Sequence, residues 1–290
     1  GTYRAFGNDG RSFNQAINSN RFNRDYPLAV LDALATAGDH LPVVVDYQLP
    51  ASQAVSVSAV PIFAISGSLV EVGVTVTNDA PVATVNGADE LDYGVTTSGD
   101  LVGSATGLTL DAASAGATTT VLVDTSTAGV RSGTVLVDST SDGADNANFE
   151  QGVSVTVLDA SNASFDAVSD VDAVAIDFGV VALGSGDGAV RATRSLFNLE
   201  STPGLTTSLV VDAVTAATGG DGELSTTLGP TTVATNGPAV FDVVLDTSAV
   251  GSFAAAWDVS TGDPSVIFGA TSTLLEDAIA ATAVVTVAGD

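Results

Sequence analysis

Val121-Leu122-Val123-Asp124-Thr125-Ser126-Thr127-Ala128-Gly129 recurs 122 positions later as Val243-Val244-Leu245-Asp246-Thr247-Ser248-Ala249-Val250-Gly251. In both copies an apolar run ends at Asp-Thr-Ser and reaches a glycine three residues later. Asp and Ser side chains bond nearby backbone amides and Gly permits positive φ, so the motif predicts a strand that ends in a turn. The spacing matches one immunoglobulin-like sandwich of about 100 residues, and two tandem copies are expected.

The sequence around the two copies alternates between apolar and polar residues. Val70–Thr77 and Val153–Val157 both show a period of two, which indicates strands with one buried face. A second, weaker repeat links Val76-Thr77-Asn78 with Leu196-Phe197-Asn198. Asn-Gly and Asp-Gly pairs separate the runs, as in sandwiches built from short strands.

The pattern divides the chain into three predicted parts. Residues 51–160 and 161–290 are predicted as β-sandwiches, and residues 1–50 as a short α/β remnant of loop, helix and strand. One late segment contains helix formers, and 273–280 is predicted as a loop or a single helical turn before a last strand at 283–287. The fold class is therefore mostly β.

The first part has its own periodicity. Asp25-Tyr26-Pro27 opens a predicted short helix, in which Leu28, Leu31 and Leu34 form one apolar stripe. The β-branched run Leu41–Tyr47 predicts a strand that is buried on both faces.

Composition limits the classes of function. With 34 acidic and 7 basic residues the net charge is −27, which opposes binding to nucleic acid because such binding depends on Lys and Arg. The absence of cysteine excludes disulfides and thiolate metal sites. No apolar run suggests a membrane span, and the composition, poor in Lys and rich in Thr, Val and Ala, predicts a secreted or cell-surface protein. The absence of methionine predicts a piece of a longer polypeptide.

Asp39 and His40 are the candidate catalytic residues, since His40 is the chain's only histidine. From composition alone, a histidine beside an acid is more often a structural pair. Gly38-Asp39-His40-Leu41-Pro42-Val43, however, resembles the closing motif of the endonuclease/exonuclease/phosphatase family, which reads Ser-Asp-His-x-Pro-Val. The resemblance implies that His40 acts on the attacking water or the transition state, and that Asp39 orients it or helps to hold Mg²⁺ or Ca²⁺.

The resemblance covers only about the first 50 residues. The family also needs an Asn, a Glu, a second His and an Asp-x-Asn pair upstream, and none can be placed here. Metal-assisted phosphoryl transfer needs several groups acting together, so this chain alone is expected to be inactive and to require no cofactor.

Acidic clusters in the sandwiches are candidate calcium ligands, with Asp138, Asp142 and Asp145 foremost, although solvated turn residues are the simpler interpretation. No cofactor-binding residue is predicted. Trp257 is predicted to lie in the core. The stretch 176–184 resembles the opening strand of Hydin-like and choice-of-anchor immunoglobulin-like domains, which serve as spacers, anchors or assembly modules.

These observations predict an extracellular structural module. The strand at 41–49 could pair with a neighbouring copy by strand addition and give a homo-oligomer or a head-to-tail filament. The alternatives are the C-terminal part of an active, metal-dependent nuclease or phosphodiesterase, and a calcium- or carbohydrate-binding adhesin.

Overall fold

The computed structural model describes residues 3–7, 9–12, 14–19, 24–38, 40, 42–45, 47–219, 222–270 and 272–287. It is mostly β. Two tandem immunoglobulin-like β-sandwiches follow a short N-terminal segment that contains the single α-helix of the described residues. The predicted fold class is confirmed.

The N-terminal segment consists of β1 (Tyr3–Ala5), α1 (Leu28–Ala37) and β2 (Val43–Val45). β1 and β2 form an antiparallel ribbon, in which Tyr3 faces Val45 and Ala5 faces Val43. Helix α1 buries Leu31 fully, and Leu28 and Leu34 beside it are half-buried, as the apolar stripe predicts.

The first sandwich packs a four-stranded sheet on a five-stranded one. Its strands are β3 (Gln53–Val57), β4 (Phe63–Ile65), β5 (Glu71–Asn78), β6 (Leu91–Gly99), β7 (Leu101–Val102), β8 (Ala105–Leu110), β9 (Ala117–Val123), β10 (Gly129–Ser139) and β11 (Asn148–Leu158), with a short 3-10 helix at Val85–Gly87. The strand orders are β3-β5-β9-β7 and β4-β11-β10-β6-β8.

The second sandwich repeats this arrangement. Its strands are β12 (Ala163–Ser164), β13 (Ala173–Ala182), β14 (Ala189–Asn198), β15 (Leu209–Gly219), β16 (Leu224–Thr226), β17 (Thr231–Val233), β18 (Pro238–Asp246), β19 (Gly251–Gly262) and β20 (Ser272–Thr286), with a 3-10 helix at Ser185–Gly188. The strand orders, β12-β14-β18-β16 and β13-β20-β19-β15-β17, match those of the first sandwich position by position. The sequence repeat is therefore a repeat of topology.

Each sandwich has a separate hydrophobic core. In the first, Val72, Val74 and Val76 of β5 all point inward, so the alternation predicted for Val70–Thr77 is present. In the second, Trp257 belongs to the core and is 8% exposed, as predicted. Burying branched aliphatic side chains at about 25 cal/mol per Å² is the main force that holds such sheets together.

The prediction for 273–280 is wrong. This stretch is the first half of β20, a continuous strand of 15 residues. β20 lies between β13 and β19 and pairs with both. Strand β19 pairs with β20 from Ser272 onward, and β13 joins on the other side from Ala278. This tertiary context overrides the helical preference of Leu, Glu and Ala.

The prediction that the strand at 41–47 is buried on both faces is also wrong. Among the described residues of this run, Val43–Val45 forms a strand, and Val43 is 69% exposed. Its partner within the described residues is β1, in a ribbon of two strands.

Candidate functional site

His40 lies in the turn between α1 and β2, and its side chain is exposed. This is the predicted order of helix, histidine and strand. The backbone here is tied to the first residues of the chain, since Phe6 N–H donates to the Pro42 carbonyl over 2.9 Å. Asp39 lies outside the described residues, so the catalytic roles of Asp39 and His40 stay predictions.

A buried ion pair between Asp9 and Arg24 organises the N-terminal loop. Arg24 Nε and Nη2 donate to the two carboxylate oxygens of Asp9 over 2.7 and 2.9 Å. The side chains of Arg24 and Asp9 are only 2% and 0% exposed. Arg24 Nη1 also donates to Ser12 Oγ and to the Ile17 carbonyl, over 3.0 and 2.8 Å. The guanidinium of Arg24 therefore holds Asp9, Ser12 and Ile17 together.

The electrostatics of Asp9 follow from these bonds. The hydrogen bond from Arg24 is the largest cause that lowers the pKa of Asp9 to about 2. Backbone N–H groups of Arg11 and Asp25 donate to the same carboxylate. With both oxygens engaged, Asp9 is a structural anion and not an available base. Sequence reasoning missed this pair, and the cluster of arginines in the first 24 residues was its only signal.

The candidate calcium ligands lie around the hairpin that joins β10 to β11. Asp138, Asp142 and Asp145 are all exposed. Asp145 uses its backbone to hold the hairpin, because its N–H donates to the Ala51 carbonyl over 2.9 Å and its carbonyl accepts from Gln53 over 2.9 Å. Over the residues that the structure describes, no three His, Asp or Glu side chains form a group that could hold a metal ion. Calcium binding at these positions stays a prediction, which calcium-dependent melting would test.

The Asp-Thr-Ser motif performs the same structural task in both sandwiches. Ser126 N–H donates to Asp124 Oδ1 over 3.0 Å, and Ser248 N–H donates to Asp246 Oδ1 over 2.8 Å. Bonds from these serines, led by their side chains, lower the pKa of both carboxyls. The carboxylates of Asp124 and Asp246 therefore stabilise the turns in which they lie.

Two buried asparagines form a second matched pair. Asn78 Oδ1 accepts from Ser52 N–H over 3.1 Å, and Asn198 Oδ1 accepts from Asn162 N–H over 3.1 Å. Asn78 is 5% exposed and Asn198 is 1% exposed. The weaker sequence repeat therefore marks the point where each sandwich ties its first strand to the end of a core strand.

Two cavities open on the second sandwich. One, of about 390 Å³, lies beside Trp257 and Leu224, and the other, of about 420 Å³, is lined by Asp212, Asp263 and Val266 among others. Their lining residues include no histidine or arginine.

The hydrogen bonds also show which positions of the two sandwiches correspond. Ser66 N–H donates to the Leu158 carbonyl, and Leu183 N–H donates to the Thr286 carbonyl. Ser66 and Leu183 are therefore equivalent, and so are the residues that follow Leu158 and Thr286, namely Asp159 and Val287.

The end of the second sandwich that carries these residues, here called the distal end, has four exposed apolar side chains. Val180, Leu183, Val250 and Val287 are 73%, 42%, 57% and 56% exposed. The equivalent positions in the first sandwich are Phe63, Ser66, Ala128 and Asp159. That end of the first sandwich is where the second sandwich begins.

No protein-family profile and no curated protein matches this sequence. Solved structures resemble parts of it. A protein of unknown function from Porphyromonas gingivalis W83 is 17% identical, with 79% of this chain and 99% of that chain covered and a TM-score of 0.27. The CupB6 tip adhesin of Pseudomonas aeruginosa is 10% identical, with 82% and 100% covered and a TM-score of 0.28. The adhesin InvE of Yersinia pseudotuberculosis is 16% identical, with 79% and 58% covered and a TM-score of 0.24.

These matches are too distant to decide a function, and the fold class rests on the sheets described above. Within the described ranges, no helix combines the length and hydrophobicity that a membrane crossing requires.

Proposed function

We propose that this protein is an extracellular structural module whose copies associate end to end. The observation that carries the proposal is the apolar distal end of the second sandwich. In the first sandwich the equivalent end carries another domain, whereas the distal end of the second sandwich is exposed. Contiguous exposed apolar patches mark interaction sites.

The occupant we propose is the N-terminal segment of a second copy. Val43 and Tyr47 are 69% and 77% exposed, and β2 makes only three residue pairs with β1. Strand β13 pairs with β20 on one side only, so its other edge offers free backbone groups. Strand addition of β2 to this edge would continue the five-stranded sheet and generate a head-to-tail chain of copies.

Sedimentation velocity over a range of concentrations tests this assembly. We expect the wild-type protein to associate, and to associate more strongly at higher salt because the charge of −27 is then screened. Val180→Asp on the acceptor and Val43→Asp on the donor should each abolish association. Val240→Asp, on an exposed position of β18, is the matched control and should leave it unchanged. A wild-type protein that is monomeric at every concentration and salt would contradict the assembly.

A phosphodiesterase is the second candidate, favoured by the position of His40 between α1 and β2. The assay is cleavage of DNA and of a simple phosphodiester in the presence of Mg²⁺, with His40→Ala as the comparison. Activity that disappears in His40→Ala would support the enzyme. Equal cleavage rates in the wild type and in His40→Ala would contradict the phosphodiesterase and leave the structural module as the proposed function.

A further inference from the structure

The connection between β19 and β20, residues 263–270 and here called the latch, leaves the second sandwich and lies on the first. Ile65 N–H donates to the Phe268 carbonyl over 2.9 Å, and Phe268 N–H donates to the Phe63 carbonyl over 3.3 Å. Phe63 and Ile65 belong to β4, an edge strand of the first sandwich. Phe268 therefore takes the place of a neighbouring strand, in a parallel bridge with Ala64.

A buried carboxylate fastens the other end of the latch. Asp263 is 9% exposed, and its Oδ1 accepts from Ser161 N–H over 2.8 Å. Ser161 lies where the chain passes from one sandwich to the next. The bond joins the latch to the connecting segment, and a charged acceptor makes it stronger than a neutral hydrogen bond.

Close packing adds a steric contact at the far side of the latch. Gly269 has a φ of +79°, and a Cβ built there would lie 2.5 Å from Ser68 Cβ in the first sandwich. The latch also has internal turns, because Ile267 N–H donates to the Pro264 carbonyl and Ala270 N–H to the Ile267 carbonyl, over 3.0 and 3.1 Å. These turns hold Phe268 in position for β4.

The connecting segment is held independently of the latch. Asp159 N–H donates to the Leu205 carbonyl over 2.7 Å, and Thr207 N–H donates to the Asp159 carbonyl over 3.0 Å. Thr202 Oγ1 donates to the Asp159 carboxylate over 2.5 Å. No flexible linker separates the sandwiches, since Asp159 follows directly on β11.

The corresponding connection in the first sandwich behaves differently. Residues 140–147, between β10 and β11, fold back on their own sandwich through the bonds of Asp145 with Ala51 and Gln53. The latch therefore contacts the neighbouring sandwich, whereas the connection at the same place in the topology of the first sandwich does not do so through these bonds.

From these contacts we infer that the latch locks the two sandwiches in one orientation, so that they move as a single rigid body. The contacts of Phe268 with β4 and of Gly269 with Ser68 join the two sandwiches, and rotation between the sandwiches would break them. The bonds of Ser161 and Asp159 fix the latch and the chain after β11 to the second sandwich. Domains without such contacts move relative to each other by default. The inference does not depend on end-to-end assembly.

The absence of cysteine makes a two-label distance measurement straightforward. Thr96→Cys and Thr215→Cys place spin labels at equivalent, exposed positions of β6 and β15. Double electron–electron resonance should give a single narrow distance distribution. Asp263→Ala should widen it, because the latch then loses the bond to Ser161 that holds it in place against β4. Asp170→Ala, an equal loss of charge on an exposed loop, should change nothing.

Gly269→Val provides a second, steric disruption at the β4 side of the latch. Circular dichroism and the fluorescence of buried Trp257 identify variants that keep both sandwiches folded. If Asp263→Ala does not fold, the width of the distance distribution in Gly269→Val tests the inference. A broad distribution in the otherwise unaltered protein, or a narrow one in every folded latch variant, would overturn the inference.

Discussion

At the residue scale, two buried threonines connect the strand ends of the repeat to the loops beside them. Thr125 Oγ1 donates to the Ser68 carbonyl over 2.6 Å, and Thr247 Oγ1 donates to the Ser185 carbonyl over 2.9 Å. Thr247 is fully buried and Thr125 is 6% exposed. Each hydroxyl therefore satisfies a carbonyl at the junction of the two sheets.

Replacing either threonine by valine keeps the shape and removes the bond. We expect Thr247→Val to lower the free energy of unfolding by about 1 kcal/mol, because the partly buried Ser185 carbonyl loses its donor. Urea denaturation measures this change. Thr232→Val on exposed β17 is the control and should have an effect within about 0.5 kcal/mol. Equal effects at both positions would show that the buried bond contributes nothing specific.

The lowered pKa of Asp9 makes the stability of the N-terminal loop depend on pH. Its pKa of about 2 in the folded protein lies below the ordinary value of about 4 for an unfolded chain. Its ionised form therefore stabilises the N-terminal loop fully above about pH 4, and this contribution disappears as the pH falls toward 2. A carboxyl ¹³C titration should show Asp9 ionising near pH 2, and Arg24→Gln should move that pKa upward. An unchanged pKa in the variant would contradict the assigned cause.

At the element scale, Gly133 and Gly152 make a matched test of sheet packing. Both lie in the β10–β11 pair, where Gly152 faces Thr134. A Cβ on Gly133 would overlap the Ser98 carbonyl and lie 2.8 Å from Leu101 Cγ, whereas a Cβ on Gly152 would meet nothing within 4 Å. The tight approach of the β6–β7 turn to β10 therefore requires glycine at 133 and not at 152.

We expect Gly133→Ala to destabilise the protein by about 2 kcal/mol, since backbone must shift to make room. Gly152→Ala should be neutral or stabilising by about 0.5 kcal/mol, because it restricts only the unfolded chain. Chemical denaturation of both variants measures the difference. A similar loss in both would mean that strand preference, and not the close approach, sets the cost.

The sequence predicts those elements whose signal is local. Alternation in Val70–Thr77 and the repeated Asp-Thr-Ser motif identify strands and their ends, because burial on one face imposes a period of two. The sequence predicts a strand only over the last part of 272–286, since pairing with β19, and from Ala278 onward with β13, sets the conformation of the first half against its local helical preference. The Asp9–Arg24 pair also has no local signal in the sequence. Fifteen residues separate the partners, and only closure of the loop brings them together.

At the scale of the whole molecule, charge is the dominant property. The chain has 34 acidic and 7 basic residues, and the net charge of −27 is spread over two small sandwiches. Self-repulsion of this kind destabilises a compact state at low ionic strength. Added salt shortens the Debye length from about 30 Å at 0.01 M to about 3 Å at 1 M, and so removes the long-range part of the repulsion.

We therefore expect the melting temperature to rise between about 0.01 and 1 M NaCl by about 5 °C, the shift that a gain of about 2 kcal/mol gives in a chain of this size. Scanning calorimetry measures it. Changing the exposed Asp138, Asp142, Asp170 and Asp172 to Asn removes four charges, and it should raise the low-salt melting temperature and flatten its salt dependence. If salt acted only by strengthening hydrophobic burial, the melting temperature of that variant would rise with salt as steeply as that of the wild type. A melting temperature that falls with salt would show that attractive pairs such as Asp9–Arg24 outweigh the repulsion.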